Sequence, residues 1–138
     1  MKKLIQNYKL YALILFSIIS FGVSSANSQT LYFCEGVDGS GYAQSPSSVF
    51  TIGGNGGYLY FLVRLPYELG TKSVSYEIYK VDSYGGEAYD NTIYQDTERD
   101  WIWFYKQVTF YKAGLYNVYV YDSERNFLTS GQVSIQYK

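Results

Sequence analysis

The chain of 138 residues contains no histidine. Histidine is the usual general base of serine and cysteine triads and the commonest ligand of transition metals, so its absence removes most routes to both chemistries. No G-x-S-x-G, P-loop or dinucleotide-binding glycine pattern takes its place. The glycines of the segment 53–57 (GGNGG) lie between two strand-like runs, with no helix N-terminus to hold a phosphate. One chemistry needs no imidazole. Asp96, Glu98 and Asp100 stand at alternate positions just before Trp101-Ile102-Trp103. Paired carboxylates beside aromatic rings serve glycoside hydrolysis, and closely spaced carboxylates suit calcium or another hard cation. A solvated acidic loop explains the same three residues. No catalytic residue is therefore assigned and no cofactor is required, with calcium at Asp96, Glu98 and Asp100 kept as the metal hypothesis.

Cys34 is the single cysteine, so no internal disulfide can form and the core must hold the fold. Its sequence neighbour is Glu35, not a cation that would favour a thiolate. The expected role is a small buried apolar side chain on the first strand, with a free or intermolecular thiol as the other reading.

Aromatic residues are the largest compositional signal. Residues 27–138 hold 16 of the 18 Tyr, both Trp and 6 of the 8 Phe. Alternation puts Trp101, Trp103 and Tyr105 opposite Ile102 and Phe104, and puts Tyr119 and Tyr121 opposite Val118 and Val120. If their strands are neighbours in one sheet, these five rings form one outward patch, with Tyr58 and Tyr60 as contributors. Such rings can stabilise strands through cross-strand pairs. They can also form a protein-contact surface, because Tyr and Trp are rigid, amphipathic and enriched at hot spots. A third use is stacking on sugars, as carbohydrate-binding modules do.

Which elements position these residues is legible once the N-terminus is set aside. Lys2, Lys3 and Lys9 precede a nearly unbroken apolar run from Leu10 to Val23, followed by Ser24-Ser25-Ala26 and a polar stretch. These are the parts of a secretory signal peptide, and the run is shorter than the roughly 20 residues a membrane-spanning helix needs. Residues 1–26 are read as the signal, with cleavage after Ala26 or Ser28. The mature chain then has no stable membrane insertion and resides in the periplasm, on the cell surface or outside the cell. Cys34 lies too far from the apolar run to be a lipidation site. Removing three of the 11 Lys+Arg and none of the 12 Asp+Glu leaves eight bases against 12 acids, a net charge of −4. That balance argues against a nucleic-acid partner.

Residues 27–138 suit one domain with one core. Short alternating runs rich in Tyr, Phe, Val and Ile predict strands at 30–34, 48–52, 57–65, 73–81, 88–94, 101–111, 115–122 and 127–137. No run repeats apolar residues at helical spacing. Leu59, Phe61, Val63 and Leu65 share a face, as do Ile102, Phe104, Val108 and Phe110, and Tyr116, Val118 and Val120. Lys106 interrupts the second set, which predicts a bulge or a sheet edge. The Gly/Ser-rich stretch 35–48 is expected to be a mobile loop.

The segment Gly114-Leu115-Tyr116-Asn117-Val118-Tyr119-Val120-Tyr121-Asp122 has the form G-x-Y-x-V-x-V-x-D. It resembles the penultimate strand of immunoglobulin-like, PKD-like and fibronectin-III-like bacterial domains. The resemblance implies that Tyr116 is a tyrosine-corner residue whose hydroxyl bonds nearby backbone. It covers about 25 residues, and the chain lacks the cysteine pair of true immunoglobulin domains. A second likeness, to the C-terminal sorting domain of type IX secretion, lacks that domain's upstream Asn-Pro element. Together these observations predict an all-β, antiparallel β-sandwich of seven or eight strands. The expected function is that of a secreted or surface-associated, non-catalytic interaction module, a component of an extracellular assembly with a protein or glycan partner. Trp101, Trp103, Tyr105, Tyr119 and Tyr121 are its candidate binding residues, and a sugar-stacking carbohydrate-binding module is the alternative.

Overall fold

The computed structural model describes residues 29–138, so the signal-peptide reading of residues 1–26 lies outside the described residues. Among the described residues ten strands are formed: β1 (Thr30–Cys34), β2 (Gly36–Val37), β3 (Ala43–Gln44), β4 (Val49–Ile52), β5 (Gly57–Arg64), β6 (Ser73–Val81), β7 (Glu87–Asp96), β8 (Trp103–Phe110), β9 (Gly114–Asp122) and β10 (Phe127–Tyr137). All eight predicted strands are among them. The largest shifts at their ends are two residues, at Asp96 and Trp103.

Two sheets pack face to face. One has the order β1-β5-β8 and the other β4-β10-β9-β6-β7, with β2 and β3 forming a separate hairpin. Every pairing is antiparallel except that of β4 with β10. The N-terminal part of the chain thus enters one sheet as β1, crosses, and joins the other as β4 beside the last strand. This strand order makes the domain an immunoglobulin-like antiparallel β-sandwich.

The core is built by the predicted alternation. Leu59, Phe61 and Val63 of β5 and Phe104, Val108 and Phe110 of β8 meet Val74, Tyr76 and Ile78 of β6 and Tyr116, Val118 and Val120 of β9. Val133 and Ile135 of β10 extend the same cluster. Each large side chain so buried contributes about 1.5–3 kcal/mol, which lets the domain fold without a disulfide. Tyr116 donates from its hydroxyl to the Lys112 carbonyl at 2.8 Å, the tyrosine corner that the G-x-Y pattern implied. Among the described residues no buried side-chain nitrogen or oxygen lacks a hydrogen-bond partner.

One expectation is settled between its two alternatives, and two change. Lys106 marks an edge and not a bulge: β8 pairs with β5 without a register break and has no strand on its other side. A partly exposed charge on the inward side of an edge strand discourages further strand pairing. Ile102 is exposed, because β8 begins one residue later and the core alternation starts at Phe104. The stretch 35–48 is an ordered hairpin lying over the outer side of the β1-β5-β8 sheet. Asp38 Oδ1 accepts from the Ser40 and Tyr42 amides at 2.8 and 3.0 Å, and Gly41 takes φ 82°. Its cover explains why Leu62 and Cys34 are fully buried, although both point away from the core. The sandwich therefore has a second, smaller interior.

Candidate functional site

The candidate aromatic residues divide between the two faces of the sandwich. Trp103 and Tyr105 lie on β8, whose strand neighbour is β5, whereas Tyr119 and Tyr121 lie on β9 between β10 and β6. The five rings do not form one patch, because β8 and β9 belong to opposite sheets.

On the three-stranded sheet the rings run in a row. The Trp103 and Tyr105 planes are nearly parallel, at 11°, with centroids 6.2 Å apart. Tyr105 meets Tyr60 edge-on at 5.9 Å, and Tyr60 meets Tyr58 at 6.1 Å. The geometry follows from register: Tyr105 faces Leu62 and Gln107 faces Tyr60, so Tyr105 and Tyr60 are diagonal neighbours on the outer side. Tyr58 and Tyr105 are exposed, while Trp103 is half-buried against the β2–β3 hairpin. Arg64 ties the same hairpin down, donating to the Gly41 carbonyl with its guanidinium 4.3 Å from the Tyr42 ring centroid.

At the β8 end the row opens into a cleft of about 620 Å³ lined by Trp101, Trp103 and Tyr105, by Ile102 and Phe104, and by Gln95 and Asp100. Trp101 precedes β8 and is fixed by backbone. The Leu69 amide donates to its carbonyl at 2.8 Å, and Leu65 and Gly70 make equivalent bonds to Ile102 and Arg99. Gln95 stands at the seam between the sheets. Its Oε1 accepts from the buried Tyr76 hydroxyl at 2.6 Å, and its Nε2 donates to the Tyr105 carbonyl on β8 at 2.8 Å. Burial holds the Tyr76 hydroxyl neutral far above the usual tyrosine range.

The three acids do not converge. Thr97 between them is buried, with its hydroxyl donating to the Thr71 carbonyl at 2.9 Å, and Arg99 donates to the Gly70 carbonyl at 3.0 Å. These anchors turn Asp96, Glu98 and Asp100 out into solvent separately, and Asp100 alone reaches the cleft lining. No group of three or more Cys, Asp or Glu among the described residues is placed to hold a metal ion. Cys34 is buried, its thiol pushed up by desolvation, with the Gly36 and Gln44 backbones beside the sulfur.

The opposite face carries a second aromatic group that the sequence reading only half found. Tyr79 lies between Tyr119, at 5.6 Å, and Tyr89, at 5.8 Å. Tyr121 packs edge-on against Phe127 at 5.9 Å, and the Arg125 guanidinium lies 4.5 Å from its ring centroid. Glu87 accepts from the Tyr119 hydroxyl and, at 2.6 Å, from the Asn117 amide, while Gln132 donates to Asn117 at 2.8 Å. The Tyr119 and Asn117 hydrogen bonds hold the Glu87 carboxyl below its ordinary value. Tyr79 was missed because Tyr119 lies on β9, distant in sequence, and Tyr89 joins the group only as its partner across the β6–β7 hairpin. The period-2 pattern of β6 was the available signal, since it places Tyr79 on the side opposite Ile78.

No protein-family model matches the sequence, and comparison with curated proteins finds no match. Among solved structures, an immunoglobulin-like protein from Pseudomonas aeruginosa is similar at 12% identity and a TM-score of 0.46, covering 81% of this chain and 100% of that one. The strand order and register of the chain itself are what make it an immunoglobulin-like sandwich.

Proposed function

We infer that the domain is an exported, non-catalytic interaction module that meets a protein partner through the outer face of its three-stranded sheet. The observation that carries this reading is the continuous row Trp103–Tyr105–Tyr60–Tyr58 leading into the Trp101 cleft. Exposed Tyr58, Tyr105, Trp101 and Ile102 extend it into an apolar surface. Exposed apolar patches of this kind mark interaction sites, and aromatic anchors dominate the energetics of protein interfaces. Export is supported by the signal-like N-terminus, and it would put the partner in the envelope or outside the cell. Catalysis is disfavoured by the missing histidine, the dispersed acids and the buried thiol.

The variants that test this are Trp101→Ala and Tyr105→Ser, which remove exposed rings. Trp103 is unsuitable because it also seats the hairpin. Affinity capture from envelope extracts with residues 29–138 should yield a partner whose retention falls at least about tenfold in either variant, an interface hot-spot loss. Retention should be unchanged by Tyr89→Ser on the opposite face. Equal retention by all three proteins would reject the surface.

A carbohydrate-binding module is the second reading, and a different observation favours it. The Tyr79–Tyr89–Tyr119 group lies beside Glu87, Asn117 and Gln132, which offer hydrogen-bonding groups next to rings. Saturable binding on a glycan array, abolished by Tyr89→Ser and not by Trp101→Ala, would select it.

A further inference from the structure

The chemistry of the Trp101 cleft narrows what it can take. Its walls are the rings of Trp101, Trp103 and Tyr105, and its polar side chains besides those rings are Gln95 and Asp100. Gln95 is already committed at both ends of its amide, to the Tyr76 hydroxyl and to the Tyr105 carbonyl. Asp100 is exposed and supplies the one charge among the described residues of the lining. Among the described residues no lysine or arginine lines the cleft. The two arginines nearest in the fold are engaged elsewhere, Arg99 with the Gly70 carbonyl and Arg64 with the Gly41 carbonyl and the Tyr42 ring.

Three ligand classes can be weighed on that inventory. A sugar carries several hydroxyls that each need a partner, and a wall of rings with one free carboxylate leaves most of them unsatisfied. A neutral apolar group suits the rings but covers Asp100 without pairing it, which is unfavourable for a charge. An organic cation satisfies both features, since ring faces attract positive charge and the carboxylate neutralises it. Rings of this chain already take guanidinium groups in that way, at Tyr42 and Tyr121.

We propose that the Trp101–Trp103–Tyr105 cleft with Asp100 is a receptor for an organic cation, supplied as a basic side chain of the protein partner. The proposal rests on the interaction-module reading and gives it a chemical anchor. The partner side chain enters between the β7 and β8 edges, lays its alkyl stem on the rings and sets its charge beside Asp100.

The probes are N-ethylguanidinium and choline, with 3,3-dimethylbutan-1-ol as the uncharged analogue of choline. Each is titrated into residues 29–138 while tryptophan fluorescence and amide chemical shifts are followed. The expected result is saturable shifts at residues 95 and 100–105, with each cation bound at least about fivefold tighter than the alcohol, the scale of a partly exposed cation–π pair with a carboxylate. Asp100→Asn should reduce that preference to below twofold while the shift pattern stays in place. N-ethylguanidinium outcompeting choline identifies arginine as the side chain, and the reverse identifies an alkylammonium. Equal binding of the alcohol, shifts centred on another face, or no saturation overturns the proposal. Partner capture that depends on Trp101 but shows no cation preference leaves the surface intact and rejects the anchor. A cation preference without partner capture rejects the surface reading and its partner-supplied cation.

Discussion

Gly41 lies flat against the Trp103 indole. A Cβ added at Gly41 would come within 2.7 Å of the ring Cγ and closer still to the ring-fusion carbons, and the glycine holds φ 82°. This contact fastens the β2–β3 hairpin over Leu62 and Cys34, and it gives Trp103 a structural role besides its place in the aromatic row. Two penalties act together on any substitution at Gly41: left-handed backbone strain and displacement of a packed ring.

Gly41→Ala should therefore destabilise the domain by about 2–4 kcal/mol, combining strain with overpacking. Cys34 reports on the same event. In the wild type its buried, protonated thiol should react with a thiol reagent only on unfolding, whereas in Gly41→Ala native-state labelling should accelerate as the hairpin lifts. Denaturant titration and timed labelling check the two halves, and unchanged labelling would show that the hairpin does not guard the thiol.

Tyr116→Phe removes the hydroxyl that bonds the Lys112 carbonyl but keeps the ring in the core. The expected loss is about 1–2 kcal/mol, a hydrogen bond to a half-sheltered carbonyl without a cavity term. Urea denaturation measures it, with the m-value unchanged if the sandwich is otherwise intact.

Asp122 repeats at the β9–β10 loop what Asp38 does in the β2–β3 hairpin and Asp82 at the β6–β7 turn. In each case Oδ1 accepts from the amides two and four residues on. Asp122 differs in being buried and in also accepting from the Asn126 side chain at 3.1 Å. Its loop closes through Arg125 at φ 65°, where the other two use glycine. Asp122→Ala should cost about 2–3 kcal/mol and Asp82→Ala about 1 kcal/mol, because only the former removes a buried carboxylate together with its part-buried hydrogen bonds. Asp122→Asn, which keeps an acceptor, should recover much of the difference in thermal melts.

Alkaline pH should unfold the domain more readily than acid. Burial raises the pKa of Tyr76 and Tyr116, and the hydrogen bond to Glu87 is the first cause of the raised pKa of Tyr119. The unfolded chain therefore loses these protons first, and stability that is complete below a tyrosine's ordinary value of about 10 declines as pH rises above it. Glu87, whose pKa is lowered, acts in the other direction: its contribution is present above the ordinary carboxyl range and fades on acidification. Denaturation midpoints measured from pH 6 to 11 should be level to about pH 9 and then fall, and Tyr76→Phe should flatten that fall. A level profile to pH 11 would contradict the assignment.

Much of this architecture is local and could be read directly from residue order. Strand positions and the sides of β5, β8 and β9 follow from alternation of Leu59, Phe61 and Val63, of Phe104, Val108 and Phe110, and of Tyr116, Val118 and Val120. A strand displays successive side chains on opposite faces wherever it sits. The tyrosine corner was legible for the same reason, since Tyr116 bonds a carbonyl only four residues away. Alternation says nothing about which strand lies alongside which. That Trp103 and Tyr105 share a face with Tyr60 and Tyr58, and not with Tyr119 and Tyr121, depends on β8 joining β5 across an intervening stretch that contains β6 and β7.

The hairpin over Leu62 was hidden for a related reason. Its Asp38 turn is local, but its docking onto the sheet comes from Arg64 and Trp103, which are distant in sequence from Gly41 and reach it only in the folded sheet. The same holds for the cleft, whose amide Gln95 is fixed by Tyr76 on one side and by the Tyr105 carbonyl on the other. Sequence alone determined an aromatic-rich sandwich with outward rings. Tertiary structure decided how those rings divide, which are covered and which carboxylate joins them, because long-range pairing sets those distances and a period-2 pattern carries no information about them.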